Sequence, residues 1–96
     1  MEEKSYAYIV QCVDGSFYAG WTLDLDRRLQ EHNDGSSKTK YTRTRRPVKL
    51  IYVEEFDTRA KACQRESQIK LLSRKQKIEL IKSKHPEFTV IIDNVQ

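Results

Sequence analysis

Tyr6 to His32 reads YAYIVQCVDGSFYAGWTLDLDRRLQEH. Residues 6–12 and 17–22 are rich in Tyr, Val, Ile, Phe and Trp, and Val13-Asp14-Gly15-Ser16 between them is a strong hairpin signal. Two registers compete. A two-residue Asp-Gly loop pairs Val13 with Ser16 and sends Tyr8 and Tyr18 to opposite faces. A three-residue loop, with Gly15 in the left-handed conformation, pairs Cys12 with Ser16 instead. Tyr8 then lies opposite Gly20, Tyr6 opposite Thr22, and Tyr18 diagonal to Tyr8 on the same face. The second register is expected, because it gathers the phenols over the one position without a side chain.

The rest of the stretch reads as a helix. Asp24 is placed to cap it, Asn33 lies near its end, and Gly35 is a natural stop. Leu25 and Leu29 form its buried stripe, and Arg28 and His32 follow each leucine by three residues along the edge of that stripe. Arg27 and Glu31 make an ordinary surface pair. Helical geometry alone therefore separates the inward Arg28 from the outward Arg27.

Outward from this unit, residues 35–47, GSSKTKYTRTRRP, combine small hydroxyls and cations around Tyr41. Lys38, Lys40, Arg43, Arg45 and Arg46 are the kind of groups that contact phosphate and sugar, and Tyr41 can stack on a base. Val48 to Val53 reads as a third, central-looking strand that ends in an acidic segment. Thr58 caps a second helix running to about Leu72, whose inward stripe of Ala62, Cys63 and Ile69 has Glu66 in its middle and Lys70 on the same side. Burying an unpaired carboxylate is costly, so Glu66 pairs with a buried cation, holds a metal, or forms a plain i,i+4 pair with Lys70 at the edge of the core. Ser73 to Gln76 is a capping-box pattern opening a third helix with Ile78, Leu80 and Ile81, which His85-Pro86 end. The tail, Phe88 to Val95, has strand-like composition.

Composition bounds the function. With 96 residues the chain is expected to make one domain, a motif-bearing core at about 6–82 and a C-terminal tail at 83–96. No apolar run approaches the roughly 20 residues of a membrane span, and the acidic start does not resemble a secretory signal. Cys12 and Cys63 make neither a disulfide framework nor a zinc spacing, and are expected as buried small residues in a reducing cytoplasm. Residues 35–50 hold six basic and no acidic side chains, within a chain of net charge +4. That asymmetry is the electrostatic footprint of a phosphate-backbone binder.

Two strand tyrosines, a helix arginine, a helix histidine and one inward carboxylate together resemble the GIY-YIG nuclease superfamily, its small stand-alone bacterial members above all. Tyr6-Ala7-Tyr8 stands for the first triplet and Tyr18-Ala19-Gly20 for the second. Gly20 to Leu29 with His32 is similar to the family's first-helix signature, in which the second arginine is the functional one. Lys40-Tyr41-Thr42-Arg43, Arg45-Arg46-Pro47, Arg65-Glu66, Ile69-Lys70 and Ser73-Arg74 look like the small-member branch. The sequence departs from the family in the first two residues of the first triplet, and no asparagine follows Glu66 at a fitting distance.

The resemblance implies a mixed α/β (α+β) domain, a small three-stranded antiparallel sheet flanked by about three helices. It implies phosphodiester hydrolysis in DNA with one Mg²⁺ or Mn²⁺ ion, structure-selective and suited to repair or recombination. On this reading Tyr8, Tyr18, Arg28, His32 and Glu66 are catalytic, with Glu66 the metal ligand. Either tyrosine would activate water. Tyr6 and Gly20 support them, and Lys70 joins the cationic loop in holding nucleic acid. A monomer is expected, whose target choice comes from DNA structure, from a protein partner, or is absent. The alternative is a non-catalytic nucleic-acid-binding module on the same scaffold.

Overall fold

A computed structural model describes residues 4–34, 42 and 44–88. The elements follow in the order β1 (Ser5–Gln11), β2 (Phe17–Thr22), α1 (Leu25–Asp34), β3 (Lys49–Phe56), α2 (Arg59–Lys70) and α3 (Arg74–Lys84). The three strands form one antiparallel sheet in the order β2-β1-β3. This is the α+β architecture the sequence suggests.

The hairpin adopts the three-residue turn. Cys12 N–H donates to Ser16 O at 2.8 Å, Gly15 N–H to Cys12 O at 2.9 Å, and Gly15 has φ of +87°. Asp14 Oδ1 accepts from Ser16 N–H at 3.0 Å and from Ser16 Oγ at 2.6 Å. Tyr8 accordingly faces Gly20, and Tyr6 faces Thr22.

The pleat then assigns each side chain to a layer. Ala7, Ile9, Ala19, Ile51 and Tyr52 form one buried cluster with Ile69 of α2 and Ile81 of α3. Tyr8, Val10, Cys12 and Val48 form the other, against which Tyr18, Leu25, Leu29 and Leu50 pack. Helix α1 therefore covers the tyrosine face, and α2 with α3 cover the opposite one.

Strand β3 differs from the sequence reading in two respects. It lies at an edge rather than in the centre, and it continues through the acidic residues to Phe56. The central place belongs to β1, six of whose seven residues are buried. The carboxylates fit because each has a counter-charge. Glu54 meets Arg65 at 2.8 Å and Lys84 at 2.7 Å, while Glu55 meets Lys4 at 3.5 Å. Burial works against the Glu54 charge, but these cations outweigh it and hold its carboxyl below the usual range. His85, at the end of α3, places Nε2 2.7 Å from Val53 O and so covers part of the open edge.

The helix caps follow the sequence. Asp24 Oδ1 accepts from Arg27 N–H, Thr58 Oγ1 from Lys61 N–H, and Ser73 with Gln76 closes a complete capping box. Cys12 is buried, whereas Cys63 is only half-buried because it lies to the flank of the Ala62–Ile69 line. No helix among the described residues is long and apolar enough to cross a membrane.

The turn yields a direct test. A methyl group at position 15 meets no neighbouring atom, so Gly15→Ala should cost only the left-handed backbone penalty, about 1–2 kcal/mol. Gly15→Asn should cost less. Urea denaturation of the two variants measures this difference, and equal stabilities would contradict the turn.

Candidate active site

Helix α1 lays Arg28 and His32 against the tyrosine face of the sheet. Tyr8 Oη lies 2.9 Å from His32 Nε2, and Arg28 Nε donates to the same oxygen at 3.4 Å. His32 Nδ1 lies 2.7 Å from Thr42 Oγ1. Tyr8 is 1% exposed, and His32 and Thr42 are closed to solvent altogether. Tyr18 joins from β2 with its ring 5.3 Å from the His32 ring, edge to face. Arg28 continues the network outward to Glu31, 3.1 Å away.

Burial sets the protonation states. It pushes the Tyr8 phenol up to about 12, even though the hydrogen bond and charge of Arg28 act in the opposite sense. It pushes His32 down to about 4, with Arg28 adding to the effect and Glu31 opposing it. At neutral pH the pair is therefore a phenol and a neutral imidazole. Burial also works against the Arg28 charge, but its bonds to Tyr8 and Glu31 win and raise its pKa. In the free protein, burial of the Tyr8 phenol thus outweighs the lowering influence of Arg28.

Gly20 makes room for the network. A methyl group there would lie 2.5 Å from Tyr8 Oη and 2.7 Å from its ring carbon, so the phenol occupies the space that any side chain would fill.

Glu66 arrives from the other layer. It belongs to α2, between the buried Ala62 and Ile69, and its side chain is 18% exposed. Its carboxylate is among the charges that raise the Tyr8 pKa, which puts the two within electrostatic reach. Lys70 Nζ lies 3.5 Å from Glu66 Oε2 and is half exposed, so the plain i,i+4 pair is present.

Other expected residues have partners away from the network. Arg45 Nε bonds Asp14 Oδ2 at 3.2 Å, and Arg46 Nη1 donates to Asn33 O at 3.4 Å. Tyr6 is half-buried and lines a separate hollow with Leu25. Lys38, Lys40, Tyr41 and Arg43 lie outside the described residues.

Two members were not singled out from sequence. Thr42 is one of several small hydroxyls in the cationic stretch, and nothing local distinguishes the one that turns inward. Glu31 is assigned only to Arg27, yet it meets Arg27 at 3.5 Å and Arg28 at 3.1 Å. Its spacing of three from Arg28 carried that signal.

Two measurements probe this arrangement. Gly20→Ala should drive Tyr8 from its place and cost about 1–3 kcal/mol in urea denaturation; an unchanged midpoint would mean that the ring is not confined. The depressed His32 pKa gives the second. Its contribution is complete above the unfolded value of about 6.5 and declines as pH falls toward the folded value of about 4. The loss approaches about 3 kcal/mol. The difference in stability between the wild type and His32→Gln should shrink over that window, and a difference independent of pH would contradict the burial of a neutral imidazole.

Residues 4–79 match the model of the GIY-YIG catalytic domain. A UPF0213 protein of Syntrophus aciditrophicus is 49% identical over 84 residues, covering 88% of this chain and 95% of that protein. Another, from Clostridium perfringens, is 50% identical over 80 residues, covering 83% and 85%. The solution NMR structure of an E. faecalis protein is similar with a TM-score of 0.60 at 44% identity, over 97% of this chain and all of that one. That of a UPF0213 protein from Bacillus halodurans has a TM-score of 0.56 at 41% identity, over 84% and 85%. GIY-YIG nucleases typically depend on a divalent metal. On the match of its sequence and fold, this chain belongs to the GIY-YIG family.

Proposed function

We propose that the chain is a divalent-metal-dependent endonuclease that hydrolyses phosphodiester bonds in DNA. The observation that supports this reading best is the buried, neutral His32 bonded to Tyr8, with Arg28 on the same phenol and Glu66 within electrostatic reach. Binding a nucleic-acid backbone calls for cations and has no use for a carboxylate and a neutral imidazole among them.

Each group has a role that its environment allows. Arg28 is permanently charged, planar and partly exposed, so a phosphate can take the place of Glu31 on its fork. Tyr18 is half-buried and faces the network, which makes it the phenol able to meet and orient an attacking water. Tyr8 is almost wholly buried with a raised pKa, so it positions His32 and Arg28. A phosphate arriving on Arg28 offsets one of the two influences that keep His32 neutral. The imidazole is then better able to accept a proton than in the free protein.

The donor set also fits a hard divalent ion. Glu66 would hold Mg²⁺ or Mn²⁺, which are content with one carboxylate completed by waters and phosphate oxygens. Among the described residues no three His, Cys, Asp or Glu side chains gather in the manner zinc requires. The bound ion would supply charge neutralisation at the phosphate and a more acidic water. Lys70, half exposed, can leave Glu66 for a phosphate oxygen. Arg45 and Arg46, with Lys38, Lys40, Tyr41 and Arg43, would follow the flanking strand.

Purified protein incubated with branched, single-stranded and duplex DNA in Mg²⁺ or Mn²⁺ tests this function. Glu66→Ala and Arg28→Ala should each lower cleavage by at least about 10²-fold while DNA binding persists. Tyr18→Phe should cost more than Tyr8→Phe. Cleavage undiminished in both alanine variants would end the assignment. A wild type that never cleaves, yet binds DNA in a salt-dependent way through Arg45 and Arg46, would instead be a binding module.

A further inference from the structure

Helix α2 carries Glu66 with little apolar packing to hold its orientation. Its buried residues are Ala62 and Ile69, about two turns apart, so they form a line rather than the stripe of roughly 100° on which a surface helix usually rests. A line fixes where the helix lies and leaves its roll weakly determined. At about 100° per residue, Arg65 and Glu66 flank that line on opposite sides, each by about 50°. Whatever holds Arg65 therefore sets the direction of Glu66.

Glu54 of β3 holds Arg65. Its Oε1 accepts from Arg65 Nε at 2.8 Å, and its Oε2 accepts from Lys84 Nζ at 2.7 Å and from Tyr52 Oη at 3.1 Å. Arg65 Nη1 donates in turn to Gln68 Oε1 at 3.1 Å, one turn further along the same helix. One carboxylate thus gathers a buried phenol of its own strand, a guanidinium of α2 and an ammonium of α3. The neighbouring pairs Lys4–Glu55 and Lys61–Asp57 join side chains that are all more than half exposed, and such pairs contribute little. Glu54 is only 16% exposed and has three donors, and a satisfied, partly buried network of this kind fixes geometry as well as adding stability.

We propose that Glu54 is a positioning residue, which through Arg65 sets the roll of α2 and holds Glu66 in the orientation that binds the metal. This rests on the nuclease reading above and adds to it a residue on the opposite flank of the helix from the chemistry. With Arg65 released, α2 can roll on the Ala62–Ile69 line. A roll of about 20° shifts a group at the outer radius of a helix, about 5–6 Å, by about 2 Å. Bonds from Mg²⁺ to oxygen, about 2.0–2.1 Å long, tolerate far less.

The test reads metal binding and cleavage separately. The whole chain, isotope-labelled for NMR, is titrated with Mn²⁺, whose paramagnetism broadens the amide signals near a bound ion. In the wild type, the signals of Glu66 and its neighbours should broaden. Glu54→Gln and Arg65→Gln should need about 10- to 100-fold more Mn²⁺ for the same effect, with kcat for DNA cleavage lowered by a similar factor and KM for DNA little changed. Arg65→Lys, which keeps a cation for Glu54, should restore most of the affinity. Lys84→Met separates aim from stability. It removes the shortest bond to the same carboxylate and leaves Arg65 in place, so it should lower the urea midpoint while Mn²⁺ affinity stays at the wild-type level. Should Glu54→Gln fail to fold, Arg65→Gln compared with Arg65→Lys decides. Wild-type Mn²⁺ affinity in Arg65→Gln, or an equal loss in Lys84→Met, would overturn the positioning role and leave the nuclease reading standing. The expected Mn²⁺ series in a protein that never cleaves DNA would support the positioning role and end the nuclease reading. Neither broadening near Glu66 nor cleavage in the wild type would overturn both.

Discussion

His32 has two ring nitrogens and no access to water, so each nitrogen needs a partner from the protein. Thr42 supplies one and Tyr8 the other. A buried polar group without a partner costs roughly 1–3 kcal/mol, and this requirement joins three separate parts of the chain at one point. Tyr8 can reach His32 only because position 20 has no side chain, and position 20 lies beneath it only in one hairpin register. That register requires a three-residue turn, and the turn requires a residue at ease with positive φ. A glycine at the tip of a loop thereby controls the geometry around a histidine in a helix.

The two layers divide the work. On one side of the sheet, Ile69 and Ile81 with Ile9, Ile51 and Ala19 make an ordinary apolar core, dense and free of charge. On the other, α1 brings polar groups into a buried setting, and only His32 of that helix is fully enclosed. Such a polar layer can be kept in order because the apolar layer behind it holds the strands rigidly. Glu66 is the exception, a carboxylate rooted in the apolar layer whose charge is felt across the sheet by Tyr8.

Much of this was legible in the residues, for reasons of period. Alternation along β1 and β2, once the three-residue turn is chosen, puts Tyr8 and Tyr18 on one face, and the spacing of leucines on α1 separated Arg28, 22% exposed, from Arg27, 70% exposed. Capping residues marked the starts of all three helices. The misreading of β3 has a definite cause. Ile9 pairs with Tyr52 and Val10 with Leu50, so Ile51 is an extra residue that the ladder skips. The bulge lets Ile51 and Tyr52 enter the same core while Leu50 serves the opposite one. A run of successive apolar residues then looks like a strand buried on both faces, although it lies at an edge. Thr42 was hidden for a different reason. A hydroxyl bound for the interior is identical in sequence to one bound for solvent, and only its distant partner distinguishes them.

Asn33 adds a constraint on scale. Its side-chain amide donates to Val48 O at 3.3 Å and accepts from Val48 N–H at 2.7 Å, in the manner of a one-residue strand. With Thr42 held by His32, the segment carrying Arg45 and Arg46 is a leash fastened at both ends. Six residue steps reach roughly 20 Å at full stretch. Between those ends Arg45 N–H bonds Thr42 O at 2.9 Å and Val13 N–H bonds Arg45 O at 3.0 Å, so the two arginines are tied to the hairpin turn as well as to the α1 C-terminus.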